Sequence, residues 1–219
     1  MLNTFNKKLW AASPEAVTSM LWDYRGIDTL FETSVFFLAI IGSMTVFRLK
    51  SGLKSEPIKG EGLSVIVKVC VKVVFAFITL FAISLALHGH LTPGGGFQAG
   101  SAFSIAPLLA ISAFSGYFLY KHGFKKDSML SMRTIGLLAI GILVLVPSTL
   151  GLGFLMQNQP KPLAPFLSFP IGSVSFWTSG SLLLYNIAEL FAIAAGFTLL
   201  YILLTFPEKS YEDDLKEAK

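Results

Sequence analysis

The chain has 219 residues, of which 53% are hydrophobic and 14% charged, with a formal net charge of +4. Soluble domains carry about 25% charged residues, so this deficit excludes an ordinary water-soluble domain. The basic excess does not indicate nucleic acid, because much of it falls in two loops between long apolar segments, in an alternating pattern along the chain.

Residues 1–27 are mixed polar and lack the apolar core of a cleavable signal peptide. Within them, Pro14 to Trp22 reads as a short interfacial helix, with Trp10 and Trp22 at headgroup depth. Five apolar segments follow, at about 29–47, 63–87, 99–120, 134–156 and 180–206, each near the ~20 residues that cross a hydrocarbon core. They lack the alternation of barrel strands, so the expected fold is an all-α integral membrane protein of about five transmembrane helices. Pro107 and Pro147 fall inside spans three and four and predict kinks.

Loop charge predicts orientation. Arg48, Lys50, Lys54 and Lys59 lie in loop 48–62, and Lys121, Lys125, Lys126 and Arg133 in loop 121–133. The loop between spans two and three has neither Lys nor Arg, and the one between four and five has only Lys161. The positive-inside rule therefore puts both basic loops and the tail from Glu208 to Lys219 in the cytoplasm, with loop 88–100 outside. By parity the N-terminus is outside, although Lys7 and Lys8 oppose this. The Gly- and Pro-bearing stretch 50–62 reads as a linker between a one-span unit, 1–60, and a four-span unit, 61–219. Residues 157–179, with Pro160, Pro162, Pro165 and Pro170, form a second long loop, ordered by packing on the outer face. Five spans can hardly enclose a transport path alone, so other membrane subunits are expected as partners.

Ionisable groups inside spans are costly and therefore informative. Asp28 and Glu32 open span one, four residues apart on one helical face. Asp28 reads either as a helix N-terminal charge favoured by the dipole or as part of an ion path; Glu32, one turn deeper, reads as a structural pair or an ion-handling group. Lys68 and Lys72 stand roughly 8 and 14 Å from the start of span two at 1.5 Å per residue. Lys68 can snorkel to the headgroups, whereas Lys72 is too deep to do so comfortably and is a candidate for an internal pair or proton relay. Glu189, roughly 14 Å into span five, is the deepest carboxylate and has no basic neighbour on its helix; Tyr185 and Asn186 precede it by one turn. Such carboxylates suit proton transfer, since desolvation favours a neutral carboxyl and a nearby lysine a charged one.

Between spans two and three lies His88-Gly89-His90-Leu91-Thr92-Pro93-Gly94-Gly95-Gly96-Phe97-Gln98-Ala99-Gly100. His88 and His90 are a weak metal signal and read more simply as interfacial hydrogen-bonding groups; haem is disfavoured because His122 falls in a loop on the opposite side. Cys70 alone allows neither an intrachain disulfide nor a cysteine metal site. No cofactor and no metal site is expected. The glycine stretch lacks Gly-Lys-Ser/Thr and follows an apolar helix, so it is not a phosphate loop. Gly96 and Gly100 have small-x-x-x-small spacing, as do Ala188, Ala192 and Gly196, a pattern of close helix packing. The stretch thus reads as a packing device, with the chemistry at buried glutamates some distance away.

Residues 88–100 resemble the signature of the B subunit of multisubunit Mrp-type (Mnh) sodium/proton antiporters, and the likeness runs over about 61–206, including Tyr185-Asn186-Ile187-Ala188-Glu189. Asp23 to Glu32 resembles another piece, the C-terminal part of the large Mrp A subunit, which archaeal membrane-bound hydrogenases and related respiratory complexes carry as a separate small subunit. No span precedes Asp23, so the A-like piece is a short form here. The resemblance implies a fused membrane subunit that helps couple H+ movement to Na+ export, in a stand-alone antiporter or in the membrane arm of a complex-I-like enzyme. It implies no catalytic role and leaves the main proton channel to larger subunits. The ion-path residues expected are Glu32 and Glu189, with Lys72 and Asp28 as further candidates; the alternative is a scaffold that carries no ions.

Overall fold

The computed structural model describes residues 13, 15–46, 57, 59–149, 155–156, 168–171, 174–177 and 179–206. Trp10, Lys7, Lys8, Arg48, Lys50, Lys54, Lys161 and the tail from Glu208 lie outside the described residues, as does most of the proline-rich loop. A short helix, α1 (Ala16–Ser19), leads through a π-helical turn (Met20–Tyr24) into five helices long and apolar enough to cross a membrane. These are α2 (Gly26–Val46), α3 (Val65–His88), α4 (Gly96–Phe114), α6 (Lys126–Thr149) and α7 (Leu182–Leu203), with the six-residue α5 (Gly116–Lys121) after α4. The helical membrane architecture expected from hydropathy is therefore present. One addition lies in the long loop before α7: β1 (Ser168–Ile171) pairs antiparallel with β2 (Val174–Trp177), Ser168 opposite Trp177.

The bundle is organised around α7. About 72% of its apolar window is buried, against 6% for α3 and 17% for α2. It packs chiefly on α4 and α6, while α3 leans on α4. Lipid offers apolar side chains no hydrophobic gain from association, so close backbone approach at small residues has to hold such helices together. Gly136 of α6 sits where a β-carbon would lie 2.6 Å from the Ala188 carbonyl oxygen and 2.7 Å from the Ala192 nitrogen. Gly196 faces the Phe36 ring of α2, and Gly100 faces Ile193. The small residues at 188, 192 and 196 thus serve two different neighbours. Larger side chains close the two ends: Trp22, Ile140, Leu182 and Tyr185 at one, Ile40, Met129, Leu199 and Phe206 at the other.

Two span boundaries differ from the sequence expectation. Span three does not run to residue 120, because the chain breaks at Ser115, whose φ of 130° and ψ of 165° lie in a region that suits glycine. The break frees the Ala113 carbonyl, which accepts from the Leu63 N–H at 2.8 Å, so the linker before α3 is tied to the end of α4. Span four starts at Lys126, not near 134, and this brings Arg133 into the helix. Arg133 is 1% exposed; it donates from Nη2 to the Phe37 carbonyl of α2 at 2.8 Å and lies over the Phe37 ring at 4.5 Å. It is a buried interhelical clamp, not a loop charge.

Candidate functional site

Part of the 88–100 stretch is recessed, although His88, Thr92, Pro93 and Gln98 are exposed. Gly89, His90, Gly95 and Gly96 are all buried, and the N-terminal segment closes over them. The Thr18 hydroxyl donates to the Gly89 carbonyl at 2.5 Å, while the Ser13 hydroxyl and the Glu15 N–H both donate to the His90 carbonyl. Glu15 also caps α1 by accepting from the Thr18 N–H, which fixes Thr18 in this position. Gly95 then takes a φ of 151°, where a side chain would strain the backbone and meet the Gln98 amide. That conformation turns the chain into α4 and aims the first N–H groups of the helix at α7.

Gly96 is the contact point. A β-carbon there would lie 2.5 Å from the Asn186 carbonyl oxygen, 2.6 Å from Glu189 Cβ and 2.7 Å from Glu189 Oε2. Only hydrogen fits. The next residue, Phe97, donates its backbone N–H to the Glu189 carboxylate. An acidic group at a helix N-terminus meets both an unsatisfied donor and the positive end of the macrodipole. The expectation that the glycine stretch is remote from the glutamates is therefore overturned: it forms one wall of the glutamate site.

Glu189 is 5% exposed and lies about 10 Å into α7 at 1.5 Å per residue. Asn186, three residues earlier, shares its helical face. Both line a cavity of about 210 Å³, bounded by Thr18, Leu21 and Trp22 of the N-terminal segment and by Gly95 and Gly96. Glu32 of α2 lines the same cavity but is exposed in this chain, so it stands at the mouth with Glu189 inside. The two carboxylates are near enough to act on each other electrostatically. Thr29, one turn before Glu32, also faces the cavity and donates to the Leu21 carbonyl at 2.6 Å, tying α2 to the π-helical turn.

The other sequence-picked residues lie apart from this cavity. Asp28 is exposed and paired with Arg25 at 2.6 Å. Lys72 is on the open face of α3, its ammonium 5.8 Å from the Phe114 ring centroid. Lys68 donates back to the Glu61 carbonyl at 2.6 Å, towards the start of its helix. His88 is exposed, with Nδ1 3.1 Å from the Ser84 carbonyl, and His122 holds a similar contact to Phe118. Among the described residues, no three of His, Cys, Asp or Glu gather as a metal cluster would require.

Trp22, which the sequence suggests as an interfacial residue, is 1% exposed and stacks on Tyr185 at 4.4 Å, forming a cavity wall. Nothing local in the sequence separates a membrane-surface tryptophan from one laid over a helix 163 positions later. Thr18 and Thr29 are similarly silent, because polar residues near a span end look alike whether they face water or a cavity. Arg133 did carry a signal: Met129, Leu130 and Met132 immediately before it extend the apolar helix in the N-terminal direction.

A family profile described as a domain related to the MnhB subunit of Na+/H+ antiporters matches residues 66–199. An uncharacterized protein of Methanocaldococcus jannaschii is 27% identical over 146 residues, 59% of this chain and 55% of that protein; the chain spans about half the length of that curated relative. Among solved structures, the chain is similar to one from the membrane-bound sulfane sulfur reductase, an archaeal respiratory membrane complex. The TM-score is 0.67 at 28% identity, over 94% of this chain and 84% of the other. A chain of the Mrp complex from Dietzia sp. aligns with a TM-score of 0.60 at 17% identity, over 88% of this chain and 21% of that one, which is a likeness of fold.

Proposed function

This chain belongs to the family of domains related to the MnhB subunit of Na+/H+ antiporters, and from that membership we propose that it helps couple proton movement to sodium transport. It is a membrane subunit of a multisubunit complex, with a transport role and not a catalytic one. The observation that carries the coupling is the shared cavity: an accessible carboxylate, Glu32, at its mouth and a buried one, Glu189, inside. A proton or cation arriving from a neighbouring subunit would meet Glu32 first. An ionisable carboxyl inside a membrane span is costly, which favours a functional role over a purely structural one.

The similarity to a chain of the sulfane sulfur reductase supports placement in the membrane arm of a respiratory complex, where an electron-transferring arm would drive the ions. The A-like character of residues 1–60 and the B-like character of 61–219 belong to the same proposal, supported by a family match that begins at residue 66. So does the orientation with loop 88–100 outside and loops 48–62 and 121–133 in the cytoplasm, supported by the charge asymmetry.

The test is Glu189→Gln in the assembled complex, followed by sodium-dependent proton movement in membrane vesicles. Loss of coupled transport with intact assembly is the expected result; unchanged transport would overturn the proposal. The scaffold reading is favoured by the breadth of open apolar surface on α3, only 6% buried, which offers a wall to partner subunits. It expects both glutamates to tolerate the amide. Replacing Gly96 cannot separate the two readings, because that glycine touches Glu189 directly.

A further inference from the structure

Beside the apolar Leu21, Trp22 and Phe97, the cavity is lined by hydroxyl, amide and carboxyl groups, and among the described residues no Lys, Arg or His lines it. Its hydroxyl protons are already committed, Thr18 to the Gly89 carbonyl and Thr29 to the Leu21 carbonyl. What these oxygens can still offer is lone pairs. Asn186 is fully buried, and among the described residues neither its amide oxygen nor its amide nitrogen has a hydrogen-bond partner. A buried carboxamide left that way is costly unless the contents of the cavity complete its bonding. About 210 Å³ is room for several water molecules, each occupying roughly 30 Å³ in the liquid.

Two carboxylates, one orphaned amide oxygen and space for water form a site for a hard cation, since such ions take oxygen ligands and keep part of their hydration. Two carboxylates do not by themselves choose between a monovalent and a divalent ion; the proposed sodium-coupled role selects Na+, and the inner carboxylate already accepts from the Phe97 N–H. We infer that the cavity binds a partly hydrated Na+, held by the Glu189 carboxylate and the Asn186 amide oxygen, with Glu32 as the carboxylate at the entrance. This rests on the proposed role in sodium-coupled transport and adds the site and a ligand, Asn186. It leaves Lys72 and Asp28 outside the ion's coordination.

The experiment is equilibrium binding of radiolabelled Na+ to the purified complex, together with the Na+ concentration that half-saturates transport. Asn186→Leu, close in volume, should weaken both by about tenfold, equivalent to about 1.4 kcal/mol. Asn186→Asp keeps the oxygen and adds charge, so Na+ should bind at least as tightly as to the wild type; it also serves if the leucine variant does not assemble. Wild-type Na+ affinity in Asn186→Leu, or about tenfold weaker binding in Asn186→Asp, would overturn the site. Glu189→Gln that loses transport yet binds Na+ normally would also overturn it, leaving the coupling proposal intact. Weakened Na+ binding with unchanged transport in Glu189→Gln would do the reverse.

Discussion

Gly96 and Glu189, on facing helices, are so close that a β-carbon on the glycine would lie 2.6 Å from the β-carbon of the glutamate. Packing and chemistry therefore share one contact: the glycine that lets α4 approach α7 also delivers the Phe97 N–H to the carboxylate. A larger residue at Gly96 would therefore disturb both.

Gly96→Ala should destabilise the α4–α7 contact by about 1–3 kcal/mol, the usual range for overpacking a close contact. Gly42→Ala and Gly141→Ala, where an added β-carbon would meet nothing within 4 Å, should be neutral or slightly stabilising through helix propensity. Thermal denaturation of the detergent-solubilised complex should rank the three accordingly. An unaffected Gly96→Ala would mean that the helices are further apart than described.

Glu32 and Asp28 lie one turn apart on α2, yet only Glu32 lines the cavity. Glu32→Gln should lower sodium-coupled proton flux by about tenfold, below the roughly 10²–10⁴-fold typical of positioned proton-transfer groups because Glu32 is exposed at the mouth. Asp28→Asn breaks an ion pair whose side chains are 61–65% exposed, and such pairs contribute no more than about 1 kcal/mol. Its flux should stay near wild type. Equal losses in both variants would argue that α2 as a whole, and not the cavity carboxylate, is what matters.

Removing the wall of the site should be expensive. Trp22→Ala deletes a fully buried ring stacked on Tyr185, and large aromatic deletions cost about 3–5 kcal/mol. Trp22→Phe retains an aromatic face and should cost clearly less. Melting temperatures of the two variants give the comparison, and equal values would exclude the stack as a support of the N-terminal segment.

Arg133→Lys should not substitute for arginine. The guanidinium both donates to the Phe37 carbonyl and lies 4.5 Å over the Phe37 ring centroid, and a lysine ammonium has no planar face to offer there. Lysine should loosen α2, seen as increased proteolysis of the segment between α2 and α3 and as a lower melting temperature. Protection equal to wild type would show that charge alone suffices there.

Hydropathy was enough to locate five helices, because a backbone in lipid has few alternatives and each span announces its length. The presence of Glu189 inside the last of them was legible for the same reason, although α7 begins at Leu182 and sets it about 10 Å in, not roughly 14 Å. Boundaries failed where tertiary contacts overrode polarity. Arg133 counts as a loop residue on any transfer scale, yet α2 supplies it with a carbonyl and a ring. The break at Ser115 is stabilised from outside its helix, by the Leu63 N–H. The site itself was half legible. Its carboxylates stood out as costly groups, whereas its walls, Trp22 and Gly96, come from distant parts of the chain that no periodicity connects.

The burial of α7 also bears on how the subunit is made. Synthesis delivers α2, α3, α4 and α6 to the membrane before the helix that two of them chiefly pack on, since chains emerge from the N-terminus at about 5–20 residues per second. Until α7 inserts, Gly96 and Gly136 face lipid or one another, and the N-terminal turn has no Tyr185 to rest on. A nascent intermediate in which α4 and α6 lack their chief partner, with α3 and α4 already able to pair, is a natural client for an insertase or for an already assembled neighbour. Maturation of the subunit then closes on its last helix.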